Sequence, residues 1–297
     1  MYKNYKYELM KGSRRYLCPK CGKKEFKVYV KTGTNIVVDS ERFGRCNRQN
    51  SCCYHLYPKL GNDDIYSSRY VPPAPEKIKP LDFVDKDLVQ ATFHEFKSNV
   101  FFMYLVKLFG ITKAYELQEI YNIGTAKNNG TIYWQQDKEG NFRTGKVMYY
   151  GTNGKRLKDK NSWYIHRRIK EDFELQQVFF GEHLLSIDEY KDKPIALCES
   201  EKTAVIMSQF MPEYVWLASG GANMLNSFRL LRLHRLDKVF PDNGQFELWE
   251  QKTKIFNNRS MDISVDNAVR SGVIEEGADI LDLWMEEKVI KMKSHAN

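Results

Sequence analysis

Three apolar runs in the second half of the chain each end on a carboxylate or a glycine turn, and a segment with helical character follows each one. The runs are Ile195–Cys198, Tyr214–Ala218 and Lys238–Phe240, and they lead into Glu199, Gly220-Gly221 and Asp242. Successive strand–helix units predict a parallel sheet flanked by helices, because parallel strands need long and usually helical connections. The carboxyl ends of such strands lie at one edge of the sheet. Two acids and a glycine turn at that edge indicate a magnesium site for phosphate chemistry.

This arrangement resembles the Toprim domain of bacterial-type primases, topoisomerases and related nucleases. The Toprim signature is a strand ending in Glu, a glycine turn after the next strand, and Asp-x-Asp after a third. Glu199 matches the first acid, Gly220-Gly221 the turn, and Asp242 the first Asp. Two positions depart from the signature, since Ser200 replaces the usual Gly and Gly244 replaces the second Asp. On spacing alone, the alternative is an ordinary α/β domain with a glutamate at a strand end.

Five of the six cysteines fall within residues 18–53, which indicates a metal site rather than a disulfide framework. Cys18 and Cys21 form a C-x-x-C-G knuckle, and Cys46 and Cys52 complete a set of four thiolates. Two apolar runs between the halves, Phe26–Val30 and Asn35–Val38, predict the β-hairpin of a zinc ribbon. Cys53 and His55 remain open as alternative fourth ligands.

The cysteine segment, residues 14–58, resembles the N-terminal zinc-binding domain of primases. Residues 1–80 hold 17 Lys+Arg against 7 Asp+Glu, while the remainder of the chain holds 29 against 31. Basic residues interleaved with tyrosines favour a nucleic-acid surface, although a solvated basic face is equally compatible. The resemblance implies contacts with a single-stranded DNA template, for which the candidates are Lys23, Lys24, Arg45 and Arg48.

We expect four parts along the chain. They are a zinc-ribbon nucleic-acid-binding domain at 1–69, a proline-rich linker at 70–80, a helical plus β-hairpin subdomain at 81–190, and a Toprim domain at 191–297. The expected fold class is therefore an α/β Toprim domain, preceded by a small mixed α+β subdomain and an N-terminal zinc ribbon. After Asp242 the sequence predicts a helix over Phe246–Asn257, a strand over Met261–Val265 and a final helix opening at residues 277–282.

Further site residues follow from the same resemblance. In Toprim primases an acidic cluster downstream adds carboxylates to the metal centre, and Asp279 and Asp282 lie three residues apart on one helical face. A small mixed subdomain helps to hold template and nucleotide, which makes Lys146, Lys155 and Arg156 candidates for phosphate contacts. Lys202, at a helix start after Glu199, is a further candidate. For the basic candidates an ordinary solvated residue is the alternative, and for Asp279 and Asp282 it is a helix N-terminus with acids that the helix dipole favours.

The resemblance implies a DNA primase-like protein that makes short RNA primers on single-stranded DNA for a phage, plasmid or transposon. Structural Zn²⁺, catalytic Mg²⁺ or Mn²⁺, nucleoside triphosphates and a separate replicative helicase are the implied cofactors and partners. A Toprim nuclease and a non-catalytic nucleic-acid-binding Toprim protein are the alternatives, the latter because of Gly244. The sequence contains neither a P-loop motif nor an 18-residue apolar run nor an apolar signal segment, so we expect no fused helicase, no membrane partner and a cytoplasmic location.

Overall fold

The computed structural model of the chain describes residues 6–48, 51–58, 80–221 and 224–294. It forms two compact units, Met1–Lys77 and Ile78–Asn297. Most of the expected proline-rich linker at 70–80 lies outside the described residues.

The first unit is a small antiparallel sheet built around the cysteines. Its strands, in spatial as well as chain order, are β1 (Tyr7–Leu9), β2 (Phe26–Lys31), β3 (Gly44–Cys46) and β4 (His55–Leu56). Phe26, Val28 and three of the cysteines form its buried centre, a core so small that a metal ion must contribute to its stability. The predicted hairpin of Phe26–Val30 with Asn35–Val38 is present but short. Val37 forms a bridge with Val30, the Lys31 N–H donates to the Ile36 carbonyl at 3.0 Å, and the Val38 N–H donates to the Tyr29 carbonyl at 2.9 Å. The regular strand that pairs with Phe26–Val28 of β2 is β3.

The second unit begins with helices and an antiparallel sheet. Short helix α1 spans Lys86–Gln90, and α2 (Val100–Phe109) and α3 (Ile111–Ile120) pack against each other. The sheet contains β5 (Ile123–Ala126), β6 (Gly130–Gln136), β7 (Phe142–Met148) and β8 (Trp163–Tyr164), in that order. The predicted hairpin is present as β6 and β7. Its second strand is earlier than the expected 146–150, so that Lys146 lies inside β7 rather than at a basic loop tip. A four-residue helix, α4 (His166–Ile169), follows β8.

The remainder of the second unit is the predicted parallel sheet with flanking helices, which confirms the α/β class. Its strands are β9 (Ile195–Cys198), β10 (Val215–Ala218), β11 (Lys238–Val239) and β12 (Ser260–Met261), in the spatial order β10-β9-β11-β12. All three strand pairs are parallel. The helices are α5 (Glu201–Phe210), α6 (Ser227–Leu230), α7 (Phe246–Thr253), α8 (Ser264–Arg270) and α9 (Ile280–Ser294).

The strand predicted over Met261–Val265 is present, but it begins at Ser260 and is only two residues long. β12 ends at Met261, and α8 begins at Ser264 because the Asp262 carboxylate accepts the Ser264 backbone N–H at 3.0 Å. A side-chain acceptor two residues before a helix favours helix initiation over continued extension of the strand.

One continuous hydrophobic core joins the two sheets of the second unit. It contains Tyr133 from β6, Phe180 from the connecting segment and Trp216 from β10, all fully buried. Phe180 packs edge-on against Tyr133 at a centroid distance of 5.4 Å, and its backbone forms a bridge with Ala218. The parallel sheet and the hairpin sheet are therefore packed as one body. In the described parts of the chain, no helix combines the length and the apolar character that crossing a membrane requires.

Candidate metal centres and anion groove

Four cysteine sulfurs converge in the first unit. The Sγ atoms of Cys18, Cys21, Cys46 and Cys52 all lie within 4.8 Å of one another, with Cys18–Cys52 at 3.7 Å and Cys21–Cys46 at 4.0 Å. Tetrahedral zinc with Zn–S bonds of about 2.3 Å separates its sulfurs by about 3.8 Å. The four thiolates therefore fit a structural zinc ion, as the sequence predicted.

The alternative ligands lie elsewhere. The His55 Nε2 atom is 2.8 Å from the Tyr29 hydroxyl, and the exposed Cys53 is not among the converging sulfurs. A backbone hydrogen bond from Lys23 lowers the pKa of the Cys21 thiol to about 7, whereas burial raises that of Cys46 to about 12. Because zinc binds thiolates, loading the site must release protons from the thiols with raised pKa.

The four basic residues expected to contact a template in the first unit have different environments. Lys23, Lys24 and Arg48 are exposed, and Lys24 lines an open groove of 1390 Å³ together with Arg14, Arg15 and Arg42. Arg45 is half-buried in β3, and its Nε has no hydrogen-bond partner among the described residues. The sequence did not single out Arg14, Arg15 or Arg42; the first two are adjacent in the chain, and folding brings Arg42 to the same groove.

In the second unit the four parallel strands deliver polar residues to one edge. Glu199 follows β9, Gly220-Gly221 follows β10, Asp242 lies three residues after β11, and Asp262 follows β12. Asp279 and Asp282 lie at the start of α9, where each backbone N–H donates to the other's carboxylate at 3.2 and 3.0 Å. The Thr203 hydroxyl on α5 donates to Asp279 at 2.5 Å and so joins α5 to α9.

These acids share a strong negative field. Burial raises the pKa of Asp242 to about 8, and the charges of Asp279, Glu199 and Asp282 add to the effect. Partial burial and the charge of Asp279 also raise the pKa of Asp282. We refer to Glu199, Asp242, Asp279 and Asp282 as the acidic cluster. With a pKa of about 8, the Asp242 carboxyl is neutral near pH 7. A bound cation would stabilise its ionised form and so lower the pKa again.

The loop after Asp242 shows what replaces the second acid of the Toprim signature. Gly244 is exposed with φ of +74°, and a Cβ added at this position would meet open space. Its backbone N–H donates to Asp266 Oδ1 at 2.8 Å, and the Asn243 side chain donates to the same oxygen at 2.7 Å. Asp266, a residue that the sequence reasoning missed, thus holds the loop from α8. Its only sequence signal is an acid in the first turn of a helix, which is common without function.

The glycine turn after β10 rests on two buried cations. Lys146 Nζ donates to the Gly220 carbonyl at 2.8 Å and to Glu201 Oε2 at 2.9 Å, while Arg229 donates to the Ser219 carbonyl at 2.7 Å. Lys146, Glu201 and Arg229 are 9%, 2% and 1% exposed. Lys146 was expected to face phosphates. The structure instead buries it beneath the turn, where its ammonium reaches Glu201 on α5 and the Gly220 carbonyl.

The remaining cationic candidates gather beside the acidic cluster. Lys155 and Arg156 line an open groove of 720 Å³ with Lys158, Lys202 and Asp282. Lys202 and Lys155 lie close enough to Asp282 that their charges partly offset the rise in its pKa. Glu275, Glu276 and Glu286 also line the groove, so it contains four cations and four acids, and an anionic ligand would meet positive charge beside carboxylates that favour a metal ion. We refer to it as the anion groove.

The acidic cluster differs from the zinc site in its spacing. Among the residues that the structure describes, the four cysteines form the one group of three or more potential ligands with all donor atoms within 4.8 Å. Magnesium usually keeps several waters and takes one or two carboxylates plus substrate phosphates. An ion at the wider acidic cluster would therefore need water or phosphate oxygens to complete its coordination.

Comparisons with known proteins support a zinc ribbon in the first unit and assign no function to the second. Residues 4–66 match a zinc beta-ribbon finger family, and residues 99–243 match a domain of unknown function (DUF6371). A search of curated proteins gives no match. The chain is similar to the crystal structure of the primase fragment of the bacteriophage T7 primase-helicase protein, at 16% identity and a TM-score of 0.35. The similarity covers 53% of this chain and 65% of that fragment, so the chain spans less than two thirds of it.

Proposed function

We propose that this chain is a primase-like nucleotidyltransferase of the Toprim type, which makes short RNA primers on single-stranded DNA with Mg²⁺ or Mn²⁺. The observation that carries the proposal is the acidic cluster at the carboxyl edge of the parallel sheet, in which the pKa of Asp242 is raised to about 8. The order Glu199, Gly220-Gly221 and Asp242 after successive strands of that sheet supports a Toprim-type site. The zinc ribbon at residues 4–66 supports a nucleic-acid substrate.

Each element of the site has a role in this proposal. Glu199 and Asp242 hold a divalent ion, and Asp279 and Asp282 supply further carboxylates from α9. When bound, magnesium lowers the pKa of an attacking hydroxyl and stabilises the charge on a triphosphate. Lys202, Lys155 and Arg156 bind and orient the phosphates in the anion groove. Lys146 and Arg229 fix the carbonyls of the glycine turn and so position its backbone beside Glu199.

The activity test is primer synthesis on single-stranded DNA with labelled ribonucleotides, in the presence of Mg²⁺ or Mn²⁺. Wild type is compared with Glu199→Gln and Asp242→Asn, and Glu213→Gln serves as the matched control. Glu213 is exposed and precedes β10, so it lies at the opposite edge of the sheet. We expect short products from wild type and the control, and a loss of at least about a hundredfold in both site variants.

Two outcomes would replace this proposal. Cleavage of DNA by wild type, lost in Asp242→Asn without any primer synthesis, would make the protein a Toprim nuclease that uses water as nucleophile. The exposed Gly244, which leaves the second signature position without a carboxylate, favours a third possibility. DNA binding that is unchanged in Glu199→Gln, with no product from wild type, would make the chain a non-catalytic binding protein.

A further inference from the structure

The segment that connects β7 to α4 and extends beyond it concentrates positive charge. Between residues 155 and 170 the chain has one acid, Asp159, and seven cations, Lys155, Arg156, Lys158, Lys160, Arg167, Arg168 and Lys170. Lys170 pairs with Asp82 at 2.8 Å. No carboxylate in the described part of the chain lies within 4 Å of the other six, and all six are exposed. We refer to residues 155–170 as the basic segment. These six exposed cations form no ion pair within the described residues and are available to an anionic partner, while Lys155, Arg156 and Lys158 share the anion groove with four acids.

Aromatic rings lie among these cations. The Lys160 ammonium is 5.0 Å from the Tyr149 ring centroid, and the Arg168 guanidinium is 3.8 Å from that of Trp163. The Trp163 indole N–H donates to the Tyr149 hydroxyl at 3.3 Å, so the two rings are joined. Both rings are partly exposed. We refer to Tyr149, Lys160, Trp163 and Arg168 as the aromatic–cation patch.

The patch is built on regular structure. Trp163 and Tyr164 form β8, the edge strand of the hairpin sheet, where they pair with Val147 and Lys146 of β7. Beyond the strand, the Ile165 N–H donates to the Gly145 carbonyl at 2.9 Å. These backbone bonds fix the rings on a sheet edge, so a ligand that stacks on them meets a preformed surface.

The basic segment also runs from this patch to the acidic cluster. Its first cations, Lys155, Arg156 and Lys158, line the anion groove beside Asp282. The Leu157 N–H donates to the Tyr149 carbonyl at 2.9 Å, which ties the segment back to the strand that carries the patch. A chain of phosphates that follows the segment would therefore pass from the aromatic rings to the proposed catalytic groove.

We propose that the aromatic–cation patch binds single-stranded nucleic acid and leads it to the anion groove. The cations contact phosphates. The Arg168 guanidinium already lies over the Trp163 ring, and an unpaired base stacks on the exposed side of that guanidinium. Duplex DNA keeps its bases stacked on one another, and lipid headgroups have no ring to stack, so a single strand suits the interleaved rings best. The inference rests on the proposed function for the choice of strand and assigns it a path in the second unit.

The first test measures binding of the full chain to fluorescein-labelled oligothymidylate of about twelve nucleotides by anisotropy. Affinity is followed between about 50 and 200 mM salt for wild type and for the double variant Lys160→Ala/Arg168→Ala. We expect about tenfold weaker binding and a log–log salt slope smaller by about 1.4, the value for two contacts to a single strand. The matched control, Lys107→Ala/Lys254→Ala, removes two exposed lysines elsewhere in the same unit and is expected to bind like wild type. A double variant with unchanged affinity and slope would overturn the inference.

The second test asks whether bases stack at this place. Oligonucleotides carrying 5-iodouracil are photo-crosslinked to the full chain, and peptides containing Tyr149 or Trp163 are expected in the crosslinked set. An abasic oligomer of equal length is expected to bind wild type about tenfold more weakly than oligothymidylate, a difference that Trp163→Leu removes and Trp163→Phe retains. Crosslinks confined to residues 1–77, or tighter binding of duplex DNA or of anionic vesicles at the patch, would contradict the proposal. Crosslinking at Trp163 in a protein that makes no primers would leave this inference standing and remove only the primase proposal.

Discussion

The raised pKa of Asp242 predicts that the proposed metal site destabilises the protein when no divalent ion is bound. Burial together with the charges of Asp279, Glu199 and Asp282 moves this pKa from 3.8 to about 8. By linkage that change corresponds to about 6 kcal/mol of unfolding free energy at high pH. Counter-ions and local relaxation reduce it, and we expect Asp242→Asn to stabilise the Mg²⁺-free protein by about 2–3 kcal/mol at pH 9.

The sign of the pH dependence follows from the direction of the shift. Because the folded-state pKa lies above that of the unfolded chain, the folded protein retains a proton at Asp242 that the unfolded chain has released. Wild type therefore loses stability as the pH rises from about 4 to about 8, whereas Asp242→Asn has no such loss at this position. The gap between the two proteins should grow across this window and level off above pH 8.

The assay is thermal unfolding of the zinc-loaded full chain, followed by circular dichroism from pH 5 to 9 without Mg²⁺. A gain of 2–3 kcal/mol corresponds to about 4–12 °C in the Tm of a unit of this size. Added Mg²⁺ at a hundredfold excess over its Kd should stabilise wild type by about 2.7 kcal/mol and so raise its Tm. The Tm of Asp242→Asn should not change.

Asp262 provides a control of opposite sign. Burial alone would raise its pKa, but hydrogen bonds from Ser264 and the ion pair with Lys238 at 3.1 Å outweigh burial and hold the pKa below its usual value. Its ionised form stabilises the fold above the unfolded-state pKa, and this contribution is lost as the pH falls through the lowered value. Asp262→Asn should therefore lower stability by about 1–2 kcal/mol at pH 7–9. If Asp242→Asn is also destabilised at pH 9, or if wild type gains stability from pH 5 to 9, the reasoning about the acidic cluster is wrong.

Three further results are expected. Cys46→Ser should lower the zinc content from one ion per chain and unfold the first unit, as measured by metal analysis and by proteolysis of residues 1–77. Lys146→Met should cost about 3–5 kcal/mol because it leaves Glu201 buried without its cation, while Lys146→Met/Glu201→Leu should recover most of the loss in a denaturant titration. Gly244→Asp should cost about 1 kcal/mol of stability, because a φ of +74° strains an L side chain even though its Cβ would meet open space. It should also tighten Mg²⁺ binding in calorimetry, and equal tightening by Gly244→Asn would show that charge is not the reason.

The sequence predicted the features that depend on local pattern. Cys18-x-x-Cys21 and the pair Cys46 and Cys52 were readable because zinc ligands recur at fixed spacings on tight turns. The parallel strands were readable because each apolar run stops abruptly at a polar residue, and the structure confirms the α/β sheet. The length of β12 was overestimated because its two residues are too few to show a period, and the Asp262–Ser264 hydrogen bond that starts α8 competes with extension.

The contacts that the sequence did not reveal join residues far apart in the chain. Lys146 and Glu201 are separated by 55 positions and meet only when the hairpin sheet and the parallel sheet share one core. In a strand in which apolar and polar residues alternate, a lysine usually lies on the solvated face. The burial of Lys146 therefore depends on the packing of two sheets. Trp163 and Arg168 lie close in sequence. Their exposure beside Tyr149, however, depends on the position of β8 as the edge strand of its sheet.

The loop after β11 explains how the carboxyl edge remains strongly acidic although Gly244 lacks a carboxylate. The Asn243 N–H donates to the Ala278 carbonyl at 3.0 Å, and its side-chain oxygen accepts the Gly277 N–H at 3.1 Å. These two bonds fasten the residue next to Asp242 to the start of α9, where Asp279 and Asp282 lie. Of the three neighbouring acids that raise the pKa of Asp242, Asp279 has the largest effect. The negative field that a divalent ion would balance therefore comes mainly from the start of α9. This segment lies outside the Asp-x-Asp motif that begins at Asp242.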